Sequence, residues 1–190
     1  MPLTKVQAGM VEATGTPSAS TFLRGDGAWA APASSITSGT AITLTNQTAP
    51  EFTSIPTGVK RITVLFGGVS TNGTNNLLIQ VGSGSYSTSG YTSASGRTNS
   101  ANNAAMNTNT TGIHILNSSA SDSLRGAVVL YLLTGNTWVG NGNITSDTTL
   151  ISITIGGTSP ALSGALDRVR VTSVGGTDQF DAGTLNIFYE

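Results

Sequence analysis

The sequence predicts an all-β protein, an antiparallel, jelly-roll-like β-sandwich preceded by an extended N-terminal arm. Three observations support this fold class. Short runs of alternating apolar and polar residues recur from residue 41 onward, Gly and Asn pairs separate many of them, and no long segment has apolar residues at helical spacing. Two parts are therefore expected: residues 1–40 as arm and linker, and residues 41–190 as the sandwich.

The first part of the arm is predicted to be either a short helix or an extended segment. Leu3, Val6 and Met10 recur at i, i+3 and i+7, which is a weak helical stripe. A helix of this length is marginal in water without a partner to pack against.

Residues 16–32, TPSASTFLRGDGAWAAP, form a polar, turn-rich segment with three large apolar side chains in it. So short a segment cannot cover Phe22, Leu23 and Trp29 by itself. Aromatic anchors dominate the energetics of many interfaces, so an interface with another copy or another protein is expected, with folding back onto the sandwich as the alternative. The predicted attachment or interface residues are Leu3, Val6, Met10, Phe22, Leu23 and Trp29.

Arg24-Gly25-Asp26 spells the integrin-binding tripeptide, but short motifs match often by chance. The preferred interpretation is a tight turn at Gly25-Asp26-Gly27 in which the Arg and Asp side chains make local contacts. Residues 30–35 and 37–40 are expected to be linker.

Eight strands are predicted from period-two alternation and β-branched residues. They cover residues 41–45, 61–69, 77–81, 113–116, 127–133, 149–155, 168–174 and 184–189. In 149–155 the alternation is expected to point the three isoleucines inward, and in 168–174 it is expected to point Val169 and Val171 inward and Arg168 and Arg170 outward. The segment 127–133 is apolar on both faces, which predicts a central strand. Turn chemistry is expected at Gly67-Gly68, Asn72-Gly73, Asn141-Gly142, Gly156-Gly157 and Gly175-Gly176.

Residues 82–112 are rich in Ser, Thr, Asn and Gly and contain almost no aliphatic side chains. A long loop in a small domain is often functional, so this segment is expected to be the exposed and variable surface, with short edge strands allowed. Tyr86, Tyr91 and Arg97 are candidate glycan-binding residues, because sugars stack on aromatic rings and bond to amides and hydroxyls. A polar surface or intersubunit loop is the alternative.

Charged residues make up 9% of the chain, and Ser, Thr, Asn and Gly fill roughly half of it. The net charge is −1 with no basic block, so nucleic-acid binding is not expected. No cysteine is present to form a disulfide or a thiolate metal site. No apolar run approaches the length of a membrane span, and the N-terminus lacks the apolar core of a signal peptide. Synthesis in a cytoplasm without export is therefore expected.

No catalytic, cofactor or metal site is predicted. The single histidine, His114, is expected to be a hydrogen-bonded strand residue, although three copies around a threefold axis could share a metal. The nine carboxylates are scattered, and Asp178 and Asp181 are expected in a solvated turn or paired with Arg168 or Arg170. The chain is therefore not expected to be an enzyme.

Several blocks of the sequence resemble the C-terminal domain of bacteriophage and prophage tail-fibre-like proteins. They are TFLRGDGAW (21–29), SGTAITLT (38–45), FTSIPTGVKRITVLFGGVSTNGTNNLLIQVG (52–82), SGYTSASG (89–96), NTWVGNG (136–142) and ALDRVRVTSVGGTDQFDAGTLNIFYE (165–190). The resemblance implies a virion appendage, most often homotrimeric, with a β-rich distal tip. Only about forty residues precede the tip here, which departs from a long tail fibre and favours a short tail appendage or a capsid fibre.

The function expected from these observations is that of a non-enzymatic virion fibre protein. Its arm would bind other virion proteins of the tail or capsid, and its tip would meet a host-surface glycan through several weak sites. A capsid decoration or head-fibre protein is the first alternative. A polysaccharide depolymerase is the second, and the scarcity of carboxylates argues against it.

Overall fold

A computed structural model describes residues 14–31, 36–101, 103–117 and 119–190. The chain divides into two compact units, Met1–Ser35 and Ile36–Glu190. The predicted arm residues Leu3, Val6 and Met10 lie outside the described residues.

The described part of the first unit is a small hairpin. Strand β1 (Phe22–Leu23) pairs antiparallel with β2 (Trp29–Ala30). The connection turns at Gly27, whose φ of +80° favours glycine and whose amide donates to the Arg24 carbonyl at 3.0 Å. The tight turn predicted here is confirmed.

The second unit contains two antiparallel sheets and no helix among its described residues, which confirms the all-β sandwich class. Its strands are β3 (Thr37–Ser38), β4 (Ile42–Thr43), β5 (Glu51–Phe52), β6 (Arg61–Thr71), β7 (Leu77–Ser83), β8 (Ser85–Tyr86), β9 (Thr92–Asn99), β10 (Ala104–Asn109), β11 (Ile113–Ile115), β12 (Leu124–Thr134), β13 (Thr137–Ser146), β14 (Ile151–Thr158), β15 (Arg168–Ser173) and β16 (Phe180–Tyr189).

The large sheet has nine strands in the order β10-β9-β14-β13-β12-β6-β16-β3, with β4 also pairing with β16. The small sheet has five, in the order β11-β7-β15-β5, with β8 pairing with β7. Alternation sorts the side chains between the two faces: Ile151, Ile153 and Ile155 of β14 are buried, while Ser152 and Thr154 are exposed. The inward-facing residues of both sheets form one hydrophobic core.

The eight predicted strands all contain or overlap an observed strand. The segment 127–133 is central, as predicted, because β12 lies between β6 and β13. It is not buried on both faces, since Tyr131 is 44% exposed and Leu133 is 62% exposed.

Two predictions about connections are wrong, and a third needs refinement. The expected linker at 37–40 contains β3, which pairs with β16. The expected turns at Gly67-Gly68, Asn141-Gly142 and Gly156-Gly157 lie inside β6, β13 and β14. Residues 82–112 contain β10, an exposed edge strand of the kind that the prediction allowed, and also β9, which lies inside the large sheet between β10 and β14.

Candidate binding site

A row of polar side chains crosses the outer face of the small sheet. Glu51 of β5 lies opposite Arg170 of β15, which lies opposite Gln80 of β7. Their neighbours Phe52 and Val169 face the core, so the row faces away from it. The Arg170 Nε donates to the Gln80 Oε1 at 2.8 Å.

Gln80, at the β7 end of this row, holds the neighbouring Arg170 side chain in place. Its side chain is 4% exposed, and its Nε2 donates to the Thr111 carbonyl at 2.7 Å. Since Gln80 is bonded through both its oxygen and its nitrogen, its amide holds the Arg170 guanidinium in one orientation.

The ring of Tyr86 lies over this polar row. The guanidinium carbon of Arg170 is 4.3 Å from the ring centroid, and that of Arg168 is 5.7 Å away. The Tyr86 hydroxyl donates to the Glu51 Oε2 at 2.9 Å. Burial, together with the hydrogen bond to Glu51, raises the pKa of Tyr86, so its hydroxyl stays protonated and remains a donor.

A tight hairpin places Tyr86 there. Tyr86 pairs with Gly82, where a side chain would collide with the backbone: a Cβ at 82 would lie 2.2 Å from the Ser85 carbonyl oxygen. Gly84 turns the chain with a φ of +70°. The lack of a side chain at 82 therefore lets the Tyr86 strand close onto β7.

An ion pair braces the same hairpin. The Asp167 carboxylate accepts from the Gly84 amide at 3.1 Å and from the Arg168 Nε at 2.7 Å. The hydrogen bond from Arg168 is the main reason that the pKa of Asp167 is lowered. We name the group Glu51, Gln80, Tyr86, Asp167, Arg168 and Arg170 the Tyr86 array.

A cleft of about 350 Å³ adjoins the array and shares Glu51 with it. It opens between β5 on one side and β3, β4 and β16 on the other. Tyr189, Ser38 and Thr40 give its lining an aromatic ring and three hydroxyl groups. Ser54, also in the lining, has a φ of +61°, a strained conformation for a residue with a side chain.

The array and the cleft together place one aromatic ring among groups that can form hydrogen bonds with a small molecule. A half-buried aromatic ring has a fixed orientation, and carboxylate, guanidinium and hydroxyl groups lie around it. Such concave surfaces with a few placed polar groups are the usual form of small-molecule sites.

The structure places the predicted glycan residues at different locations. Tyr91 is 2% exposed and belongs to the core, so its prediction as a surface platform for sugar is wrong. The Val81 amide donates to its hydroxyl at 2.9 Å. Burial raises the pKa of Tyr91 to about 12. Its role is to join the 82–91 segment to β7.

Arg97 is separated from the Tyr86 array. It lies on β9 opposite Ile153 of β14 and Ala105 of β10. Six residues along an extended chain span about 20 Å, so Arg97 is far from Tyr91, whose hydroxyl meets Val81 beside the array. Of the three predicted residues, only Tyr86 lies in the Tyr86 array, and its role in glycan binding stays a prediction.

His114 is the hydrogen-bonded strand residue that the sequence predicts. It is 2% exposed, and its Nδ1 lies 2.8 Å from the Ser95 hydroxyl. Burial lowers its pKa, so the ring is neutral at physiological pH. A metal shared by three copies would need this ring at the surface, which its burial excludes.

Asp178 contradicts the expectation of a solvated turn or an arginine pair. It is 7% exposed and accepts from the Asn75 amide at 2.9 Å and from the Asn75 side chain at 2.6 Å. Arg168 and Arg170 instead bond to Asp167 and Gln80. Asp178 therefore holds the 72–75 turn.

The hairpin of the first unit leaves two predicted interface residues accessible. Phe22 is 48% exposed and Leu23 is 39% exposed, while Trp29 is half-buried. The Arg24 and Asp26 side chains meet at 3.2 Å across the turn, which is the local contact expected of this tripeptide.

Sequence reasoning missed Glu51, Gln80 and Asp167 as site residues. Arg168 and Arg170 were placed correctly on an outer face by alternation. Nothing in the local sequence around Glu51 or Gln80 indicates a site, because only the cross-strand register shows that residues 51, 80 and 170 form one row.

Among the described residues, no group of three or more His, Cys, Asp or Glu side chains could hold a metal ion. The same residues include no helix with the length and apolar character needed to cross a membrane. Comparison with protein-family models, with curated proteins and with solved structures finds no match to this chain.

Proposed function

We propose that this chain is a non-enzymatic fibre protein of a bacteriophage particle, and that its β-sandwich presents a saccharide-binding surface to the host. Two kinds of observation support the proposal. The sequence blocks resemble tail-fibre tips, and the chain divides into a small N-terminal unit and a larger sandwich. Attachment is assigned to the first unit and host contact to the second.

The main support for the proposed host contact is that the Tyr86 ring is held in one orientation. The Arg170 guanidinium supports the ring from 4.3 Å, and Glu51 accepts a hydrogen bond from the Tyr86 hydroxyl. A ring that is already fixed loses little conformational entropy when a sugar stacks on it. The second oxygen of Glu51 and the hydroxyls of the neighbouring cleft then supply partners for sugar hydroxyls.

Attachment is assigned to the N-terminal unit, with Phe22, Leu23 and Trp29 at the interface with tail or capsid proteins. Three copies per fibre are proposed. Several weak sites held on one particle bind by avidity, so each Tyr86 array needs only modest affinity for its sugar.

The binding part of the proposal is tested with the purified full chain on an array of bacterial surface glycans. Tyr86→Ala removes the ring and should lower the affinity for any bound glycan about 10-fold or more, the usual effect of losing an aromatic anchor. Tyr131→Ala is the matched control, because Tyr131 is 44% exposed on the large sheet, away from the array. Equal effects of the two substitutions would refute the assignment of the site.

The location is tested by cryo-electron microscopy of the particle that carries this chain. Density for the sandwich at the tail supports an adsorption fibre. Density on the capsid would instead assign the chain to a head fibre and would overturn the adsorption role. Loss of viscosity when the purified chain is incubated with host polysaccharide would overturn the non-enzymatic assignment.

A further inference from the structure

Strand β10 forms one edge of the large sheet. It pairs with β9 on one side, and no described strand pairs with its other side. Its first five residues are exposed on both faces of the sheet, and Met106 is 75% exposed. The backbone groups of an unpaired edge readily accept another strand.

The register shows which backbone groups are free. The Asn99 amide donates to the Asn103 carbonyl at 3.2 Å, and β9 and β10 continue from there without a register shift. Hydrogen-bonded pairs alternate along an antiparallel ladder, so residues 105, 107 and 109 bond to β9. The N–H and C=O groups of Ala104, Met106 and Thr108 therefore point away from the sheet.

The edge lacks the usual protection against pairing. No charged residue occurs between Arg97 and Asp122, and β10 contains neither proline nor a bulge. By contrast, the β3 and β5 edges are only two residues long. On β11 the His114 amide donates to the Ser93 hydroxyl, and just after the strand the Leu116 amide donates to the Ser95 hydroxyl. Among the described strands, β10 is the long edge that remains open.

Apolar surface lies beside the free backbone. Met106 sits opposite Gly96, with its Cε 3.7 Å from the position of a Gly96 Cβ. Grooves of about 640 Å³ and 400 Å³ flank it on the outer face of β9, β10 and β14. Their lining is mostly methyl, methylene and backbone carbon, with Arg97 as the one cation.

We infer that the occupant of this edge is β10 of a second copy, paired antiparallel about a twofold axis at Met106. In that register Met106 faces Met106 of the other copy, and Ala104 faces Thr108. All three outward-pointing residues then form hydrogen-bonded pairs, so the edge is complementary to itself. Because β10 has no charged residue, two copies of it can pair without like-charge repulsion. The same lack of charge gives β10 no group that would select a charged partner.

This inference is independent of the proposed fibre function, because it concerns the sandwich alone. A twofold contact requires even numbers of copies. Edge pairing alone gives two chains, a threefold contact alone gives three, and both together give six. The mass in solution, in multiples of 19.2 kDa, therefore separates this inference from the proposed trimer.

The test is sedimentation equilibrium of the full chain over a concentration series of roughly 10 µM to 1 mM, a range suited to a small interface. An even-numbered assembly is expected for the wild type. Met106→Lys places two ammonium groups opposite each other and should raise the dissociation constant about 10-fold or more. Leu133→Lys makes the same kind of change at an exposed site on β12 and should leave the constant unchanged.

Two further variants fix the register. An equal mixture of Met106→Lys and Met106→Glu should restore pairing, because opposite charges then face each other across the axis. Thr108→Pro removes one outward N–H without touching a bond to β9, so the fold is retained while pairing weakens. A monomeric wild type, an odd-numbered assembly insensitive to Met106→Lys, or no rescue by the mixture would overturn the inference.

Discussion

Replacing Tyr91 by phenylalanine isolates the contribution of one buried hydroxyl to the stability of the sandwich. Phenylalanine keeps the ring in the core but removes the acceptor of the Val81 amide, 2.9 Å away, and the donor to the Ser87 carbonyl, 3.1 Å away. A buried amide left without a partner costs about 1–3 kcal/mol. Tyr91→Phe should lower the free energy of unfolding by that amount near neutral pH.

The pH dependence gives a second, independent measure of the same hydroxyl. Burial raises the pKa of Tyr91 from 10.0 to about 12, so the folded state favours the neutral form. The stability that this preference for the neutral hydroxyl gives the folded state is fully present below pH 10 and is lost as the pH rises towards 12. The loss is about 1.4 kcal/mol by pH 11 and about 2.7 kcal/mol when complete.

The assay is denaturant unfolding followed by the fluorescence of Trp138, which is 2% exposed. The stability difference between wild type and Tyr91→Phe should shrink above pH 10, because only the wild type loses this term there. Tyr86 has a raised pKa in both proteins, so its effect cancels. A difference that stays constant from neutral to alkaline pH would refute the reasoning.

Two other predictions concern the core. Because burial lowers the pKa of the single histidine, wild-type stability should fall as the pH drops below 6.5, and His114→Gln should be flatter between pH 7.5 and pH 5 in the same unfolding assay. Parallel curves would show that the ring is not held neutral. Leu130→Ala, at a fully buried site on β12, should cost about 2–5 kcal/mol. Leu133→Ala, 62% exposed on the same strand, should change stability by less than about 0.5 kcal/mol, and similar losses at the two sites would contradict the assigned faces.

The sequence identified the strands that have an apolar face. Alternation in 151–155 and 168–171 predicted which side chains point inward, and Ile153 and Val169 are both fully buried. Arg168 and Arg170 were likewise placed on the opposite face. The period of two is a local property of an extended chain, so it can be read without knowing the partners of a strand.

The strands that were missed carry no such signal. Apart from Arg97 and Met106, the residues of β9 and β10 are Ser, Thr, Asn, Ala and Gly, and the structure of these strands depends on the pairing of β9 with β14. In β13 a turn was predicted at Asn141-Gly142, yet Gly140 and Gly142 allow close packing within the sheet. A Cβ at 142 would lie 2.3 Å from the Ala127 carbonyl oxygen, and one at 140 would lie 2.6 Å from the Ile113 side chain.

The candidate site likewise has one part that the sequence predicted and one part that only the structure revealed. Composition suggested that the tyrosines of the polar segment 82–112 could meet a ligand, but nothing local distinguishes Tyr86 from Tyr91, which are five residues apart in similar surroundings. The hairpin at Gly82 and Gly84 puts one ring over Arg170 and leaves the other in the core. The sequence alone determined the class of fold and the inward faces of its apolar strands, because both follow from local periodicity. Only the tertiary structure decided which polar residues meet, because that depends on the register between strands distant in sequence.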